Sequence, residues 1–160
     1  MASNGIAGEF YVAAELTKRG MIATITGKNT KDIDIISANP ETGKTVLIQV
    51  KEKSLSNVSP EWKMSGEVKE GQIRMDVWYV FVALDSYQCH IISAKELFPK
   101  LKKRQDDYNG GFKKNGQPRK PDPCFYFNRD KDLLDANGQP KVNNWEDLPI
   151  FEKTNTKKRR

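Results

Sequence analysis

Hydrophobic positions at the start of the chain recur first with the period of a helix and then with that of strands. Val12, Ala13 and Leu16 lie on one helical face. This pattern predicts a helix over residues 8–19. Three β-prone runs follow, and a polar turn at residues 39–43 separates the last two. The predicted strands cover residues 21–26, 32–37 and 45–51.

The rest of the chain predicts further strands, a second helix and a long loop. A short helix is predicted to start at residues 59–61, with Trp62 after it as an exposed aromatic side chain. Ser93 and Glu96 have the spacing of a capping box, which begins a helix that reaches about Arg104. The remaining predicted elements are strands over residues 76–84, 88–92 and 124–128, a Gly/Pro-rich basic loop over 105–123 and a short element at 145–148.

The length and the order of these elements indicate one α/β domain. A chain of 160 residues is long enough for one hydrophobic core and short for two. We therefore expect a single domain over residues 1–153, with a mixed central sheet of four to five strands flanked by helices. Residues 154–160 are expected to form a basic, disordered tail.

The charge of the chain favours a polyanionic partner. Lys and Arg number 27 against 21 Asp and Glu, a formal net charge of +6. Much of the excess lies in residues 157–160, which are either a solvated terminus or a binding arm.

Cysteine usage and hydropathy indicate the compartment. Cys89 and Cys124 lie in apolar or aromatic runs and are expected to be small, buried hydrophobic side chains outside any disulfide. No apolar run has the length of a membrane span, and the first residues lack the regions of a signal peptide. The expected location is therefore the cytoplasm.

Acidic and amide side chains from three predicted elements can converge. In the hairpin of the second and third strands, the position of the turn places Asp34 opposite either Gln49 or Lys51. Both registers put these three side chains on one face, because side chains alternate along a strand. Glu9 lies in line with the apolar stripe of the first helix, where a buried carboxylate is costly unless it faces a cation.

This set of side chains suits a magnesium-dependent reaction at a phosphate. Carboxylate, amide and carbonyl oxygens bind Mg²⁺, and water and phosphate oxygens complete its octahedral shell. The predicted ligands are Asp34, Gln49, the carbonyl of Val50 and Glu9. Lys51 would bring an ammonium group to the attacking water or to the scissile phosphate.

The same residues resemble the motif of a known family. Gly8 and Glu9 head a helix, Asp34 lies in the run Asp-Ile-Asp-Ile-Ile, and Gln49 and Lys51 lie in the run Ile-Gln-Val-Lys. This order resembles the PD-(D/E)XK nuclease superfamily, which includes restriction endonucleases and Holliday junction resolvases. The family pattern is a helix glutamate, a strand aspartate and an acid-x-lysine sequence on the next strand.

The resemblance implies a restriction endonuclease-like αβββαβ core and Mg²⁺-dependent hydrolysis of DNA, with Mn²⁺ as a substitute ion. It makes Glu9, Asp34, Gln49 and Lys51 the catalytic residues. Among them, Asp34 is the principal metal ligand and Lys51 the catalytic lysine. The resemblance also implies a homodimer, because the family often forms one and because it would allow both strands of a duplex to be cut.

Two positions depart from the family motif, and a third residue competes for a role. Gln49 stands where the family usually has an acid, so the site has one negative charge fewer and should hold Mg²⁺ more weakly. Ile33 stands in place of the proline before the aspartate. Asp32 competes with Asp34, because alternation along the predicted strand points both side chains the same way.

Basic and aromatic residues in two segments are candidates for contact with the nucleic acid, since lysine and arginine bind phosphates and aromatic rings stack on bases. These residues are Trp62, Lys63, Lys113, Lys114, Arg119 and Lys120.

Simpler interpretations remain open beside the nuclease hypothesis. Asp34 and Lys51 can form an ordinary cross-strand ion pair. Glu9 can favour the start of a helix through the macrodipole, an effect of about 0.3–1 kcal/mol. The whole domain can also be a nucleic-acid-binding or protein-interaction domain on the same fold, with catalysis weakened by Gln49.

Overall fold

A mixed sheet of five strands lies at the centre of the fold. The computed structural model describes residues 5–27, 30, 32–53, 59–64, 74–122 and 124–151. Its strands are β1 (Ile22–Ile25), β2 (Ile35–Ala38), β3 (Thr45–Lys53), β4 (Glu61–Met64), β5 (Val77–Ala83), β6 (Gln88–Ser93) and β7 (Phe125–Asn128). The central sheet has the order β1-β2-β3-β5-β6, with β3 and β5 parallel and the other neighbours antiparallel. This architecture confirms the predicted α/β class.

Helices flank this sheet on both faces. The helices are α1 (Ile6–Lys18), α2 (Ala94–Asn109) and the short α3 (Arg129–Asp132), and two 3-10 turns cover Trp145–Asp147 and Pro149–Phe151. Val12 and Leu16 of α1 are fully buried in one hydrophobic cluster with Ile48 of β3. Leu97 and Leu101 of α2 lie in a second cluster, on the other face. Each fully buried leucine contributes about 1.5–3 kcal/mol to folding.

The hairpin of β2 and β3 adopts the first of the two predicted registers. Ile35 pairs with Ile48, so Asp34, one residue before β2, is level with Gln49. Asn39 organises the turn, because its Oδ1 accepts hydrogen bonds from the backbone N–H groups of Glu41 and Thr42.

Helix α2 is longer than predicted. Ser93 caps it as expected, accepting a hydrogen bond from the Glu96 N–H at 3.2 Å. The helix continues to Asn109, so the expectation of a loop from residue 105 is wrong for the first five residues. Ion pairs between residues four apart, Lys102 with Asp106 and Lys103 with Asp107, support this polar extension.

The predicted short helix at residues 59–61 is also wrong. Glu61–Met64 is strand β4, which pairs antiparallel with β7 in a separate two-stranded sheet. Trp62 and Met64 are buried while Glu61 and Lys63 are exposed, which is the alternation of a strand with one face on the core.

Other expectations concern cysteines, membranes and the tail. Neither cysteine is in a disulfide. Cys89 is buried as predicted, but Cys124 is partly exposed, so the expectation that both are buried is wrong for Cys124. Within the described ranges, no helix has the length and apolar character needed to cross a membrane. The predicted basic tail at residues 154–160 lies outside the described residues.

Candidate active site

Asp34 is fixed by the backbone of the adjacent strand. Its N–H donates to the Ile48 carbonyl oxygen at 2.9 Å, and its carbonyl oxygen accepts from the Thr26 N–H at 2.8 Å. Its side-chain Oδ2 accepts a hydrogen bond from the Val50 N–H at 2.7 Å. Backbone hydrogen bonds therefore hold the Asp34 carboxylate beside β3, level with Gln49.

Asp32 was predicted to compete with Asp34 as a metal ligand because both were expected to lie in one strand. In the structure, Asp32 is not part of a strand. Strand β2 begins only at Ile35, and Asp32 has a φ of 62°, in the left-handed region. A residue in that conformation turns the chain and leaves the extended pattern. The expectation that the two aspartates point the same way along one strand is therefore wrong.

Gln49 and Lys51 lie on the face of β3 opposite α1. Val46, Ile48 and Val50 alternate with them and belong to the cluster under α1, so the predicted division of β3 into two faces is confirmed. Gln49 is buried, with 6% of its surface exposed, and Lys51 is half-buried. The side-chain charge of Lys51 is close enough to Asp34 to lower the pKa of that carboxyl group.

Burial nevertheless has the larger effect on Asp34 and raises the pKa of its carboxyl group above the ordinary value. The Val50 N–H and the charge of Lys51 oppose this shift, and the charge of Asp32 adds to it. The protein thus keeps a carboxylate in a partly desolvated place where its negative charge is not fully compensated.

Glu9 approaches this place from α1. Burial raises the pKa of the Glu9 carboxyl group, and the negative charges of Asp34 and Glu52 raise it further. Glu9 and Asp34 are therefore electrostatic neighbours, although they come from a helix and a strand end. Such mutual repulsion is relieved when a cation lies between the carboxylates.

Glu52 is a further acidic residue near Glu9 and is not among the predicted site residues. It continues the row Val46, Ile48 and Val50 on the face of β3 toward α1, and its Oε2 accepts a hydrogen bond from the Gly8 N–H at 2.6 Å. The sequence does contain a signal for this residue. Glu52 follows an apolar row on the buried face of β3, and a carboxylate in such a position requires a partner.

The donor set fits Mg²⁺ better than a metal that needs many side-chain ligands. Among the described residues, no group of three or more His, Cys, Asp or Glu side chains has an arrangement that could hold a metal ion. Mg²⁺ is usually bound through one or two carboxylates, with waters and phosphate oxygens completing its shell. In the predicted ligand set, Glu9 and Asp34 would supply these two carboxylates, and the Gln49 amide and the Val50 carbonyl would be further oxygen donors.

Lys53 follows Lys51 on the same face of β3 but has a different environment. Its Nζ lies 3.6 Å from the centre of the Trp62 ring and donates a hydrogen bond to the Ser59 carbonyl oxygen. Lys53 is only 6% exposed. Burial, supported by the charge of Arg129, lowers the pKa of Lys53 to about 8. The contacts of Lys53 assign it to the core beside β4.

The residues predicted to contact nucleic acid divide into two groups. Trp62 is 3% exposed and packs against Phe81 and Phe127, so the expectation of an exposed, base-stacking tryptophan is wrong. The pairing of β4 with β7 covers its ring. The other predicted residues are exposed: Lys63, Lys113, Lys114, Arg119 and Lys120.

Comparisons with known proteins show a partial likeness in the fold. No protein-family model matches the sequence, and no curated protein matches it. Among solved structures, the fold is similar to that of a bacterial homing endonuclease, with a TM-score of 0.45 and 12% identity. The alignment covers 57% of this chain and 67% of that chain. A likeness of this degree carries no argument about the function of this chain.

Proposed function

We propose that the protein is a metal-dependent endonuclease of the PD-(D/E)XK type, which hydrolyses phosphodiester bonds of DNA with Mg²⁺ or, in its place, Mn²⁺. One observation carries the proposal: the Asp34 carboxylate, level with Gln49, is held by a 2.7 Å hydrogen bond from the Val50 N–H, and burial and the charge of Asp34 raise the pKa of the Glu9 carboxyl group. Perturbed acids of this kind concentrate at functional sites.

Each residue has a distinct role in the proposed reaction. Asp34 is the principal ligand of the ion, and Glu9 binds it directly or through water. The Gln49 amide oxygen and the Val50 carbonyl oxygen are the remaining protein ligands. When bound, the ion would activate water and neutralise charge on the phosphate. Val50 also holds Asp34 in place, because its N–H donates to the carboxylate at 2.7 Å.

Lys51 acts on the phosphate in this proposal. Attack of water on phosphorus increases the negative charge on the phosphate oxygens, and an ammonium group held in a partly buried position stabilises that charge. Lys51 lies on the same face of β3 as Gln49, two residues further along the strand. We propose that Lys51 stabilises the transition state. Loss of Lys51 should therefore slow cleavage without weakening DNA binding.

DNA is the proposed substrate because the chain is basic and because exposed lysines lie in the two segments that were predicted to contact nucleic acid. The formal net charge is +6, and Lys63, Lys113, Lys114 and Lys120 are exposed. Contacts of this type bind the backbone without reading its sequence. We further propose a homodimer for cleavage of both strands of a duplex.

A cleavage assay tests the proposal. Labelled single-stranded and duplex DNA are incubated with the parent protein, with Lys51→Ala and with Lys95→Ala, which removes an exposed lysine of α2 as a matched control. Mg²⁺, Mn²⁺ or EDTA is present. We expect the parent and Lys95→Ala to cleave only with a divalent ion. We expect Lys51→Ala to bind DNA but to cleave it about 10²–10³-fold more slowly.

A nucleic-acid-binding domain without catalysis is the second candidate, and the neutral Gln49 in the second-strand ligand position favours it. The same assay distinguishes the two functions. Parent protein that binds DNA but cleaves no substrate with either ion would refute the nuclease and favour the binding domain.

A further inference from the structure

The N-cap residue of α1 provides no side-chain cap for the first turn of the helix. Gly5 occupies the N-cap position, has no side chain to offer and lies in the left-handed region with a φ of 80°. In most helices an Asp, Asn, Ser or Thr at this position accepts a hydrogen bond from the N–H group two or three residues later. That later N–H here belongs to Gly8, and without a partner it would remain unsatisfied.

Glu52 supplies this missing acceptor from a distant part of the chain. Its Oε2 accepts the Gly8 N–H at 2.6 Å, across a sequence separation of 44 residues. A carboxylate is a stronger acceptor than a hydroxyl, and its negative charge also suits the positive end of the helix dipole. The helix start is thereby attached to β3 by a directed, charge-assisted bond.

Gly8 allows the close approach that this bond requires. A Cβ atom at position 8 would lie 2.9 Å from the Glu52 Cβ and 3.3 Å from the Val50 Cγ1. Contacts under 3.0 Å are essentially never made by real Cβ atoms. Any larger residue would therefore push the first turn of α1 away from β3, and this turn carries Glu9 as its next residue.

We propose that Glu52 is a positioning residue of the site: it caps α1 from β3 and so holds Glu9 at the distance from Asp34 that a shared divalent ion requires. This inference rests on the proposed metal-dependent function for the role of Glu9. It assigns to Glu52 no direct bond to the ion or to the phosphate. The removal of a residue that orients a metal ligand typically weakens metal binding by about 10–100-fold.

The test compares Glu52→Ala, which removes the acceptor, with Glu52→Gln, which keeps an acceptor oxygen without the charge. Glu41→Ala is the control, because it removes an exposed carboxylate in the distant turn between β2 and β3. Amide hydrogen exchange of Gly8 reports on the cap, and isothermal titration with Mn²⁺ reports on the site. Urea unfolding shows whether each variant is folded.

We expect Glu52→Ala to lose the protection of the Gly8 amide and to bind Mn²⁺ about tenfold more weakly or worse. Glu52→Gln should retain most of the Gly8 amide protection and most of the affinity for Mn²⁺. Glu41→Ala should match the parent in both measurements. If the parent binds Mn²⁺ and Glu52→Ala binds it equally tightly, this inference alone is overturned. If the parent binds no Mn²⁺, the proposed function is overturned and this inference with it.

A second variant keeps the test decisive if Glu52→Ala does not fold. Gly8→Ala retains every carboxylate and forces a Cβ into the space against Glu52. It should weaken Mn²⁺ binding in the same direction. A folded Gly8→Ala protein with the parent's affinity for Mn²⁺ would show that the position of the helix start does not matter, and would overturn the proposal.

Discussion

Asp34→Asn should separate the function of the site from the stability of the fold. Asparagine keeps an oxygen that can accept the Val50 N–H, a bond of 2.7 Å in the parent. It removes the ionisable carboxyl group of Asp34, whose pKa is raised chiefly by burial. An acid with a raised pKa in the folded state ionises first in the unfolded chain, so stability falls as pH rises toward the folded pKa. At neutral pH in EDTA, Asp34→Asn should be at least as stable as the parent.

The magnitude follows from a comparison with Asp34→Ala. Alanine offers no acceptor to the Val50 N–H, and an unsatisfied buried donor costs about 1–3 kcal/mol. Asp34→Ala should therefore be less stable than Asp34→Asn by about that amount. For a chain of this size, each kcal/mol shifts the melting temperature by about 2–4 °C.

Binding of a divalent ion should stabilise the parent but not Asp34→Asn. A divalent ion at 100 times its dissociation constant stabilises the protein that binds it by about 2.7 kcal/mol. The parent should show this gain with Mg²⁺ or Mn²⁺, whereas Asp34→Asn should show none and should not cleave DNA. Thermal unfolding with and without the ion measures both effects. An Asp34→Asn protein that keeps the gain, or that is less stable in EDTA than Asp34→Ala, would refute this reasoning.

Three further variants test other parts of the account. Lys51→Ala should lower the single-turnover cleavage rate by about 10²–10³-fold, while fluorescence anisotropy shows DNA binding retained; an equal loss of both would contradict its role. Gly8→Ala should destabilise the protein by about 1–3 kcal/mol in urea unfolding, because its Cβ would lie 2.9 Å from that of Glu52. Lys53→Met tests the buried lysine, whose pKa is lowered, chiefly by burial, to about 8. Since the folded state then releases its proton before the unfolded chain does, the parent should gain stability relative to Lys53→Met as pH rises from about 8 toward 10.5. A pH-independent difference would contradict this assignment.

The shared face of Gln49 and Lys51 could be predicted because it depends on local chemistry. Side chains alternate along any strand, and the short turn after β2 limited the register to two choices, of which the structure adopts the one that places Asp34 level with Gln49. The helical period of α1 likewise puts Glu9 in line with the buried Val12 and Leu16. These features need only the sequence near each residue.

Features that depend on packing between distant segments could not be predicted. Trp62 is buried because β4 pairs with β7, more than 60 residues later in the chain, and nothing near Trp62 signals that partner. The bond of Glu52 to the Gly8 N–H likewise requires the docked position of α1 on β3. Asp32 departs from the strand because the local chain turns with a positive φ, which the alternating sequence pattern did not reveal.

The most direct test of the account is a crystal structure with duplex DNA and Mn²⁺, because the anomalous scattering of manganese locates the ion independently of any assumed ligand. We expect an anomalous peak about 2.1 Å from a carboxylate oxygen of Asp34, with Glu9 bound to the ion directly or through water and Lys51 beside a phosphate. A well-ordered complex with no peak at Asp34, or with the ion held elsewhere, would contradict it.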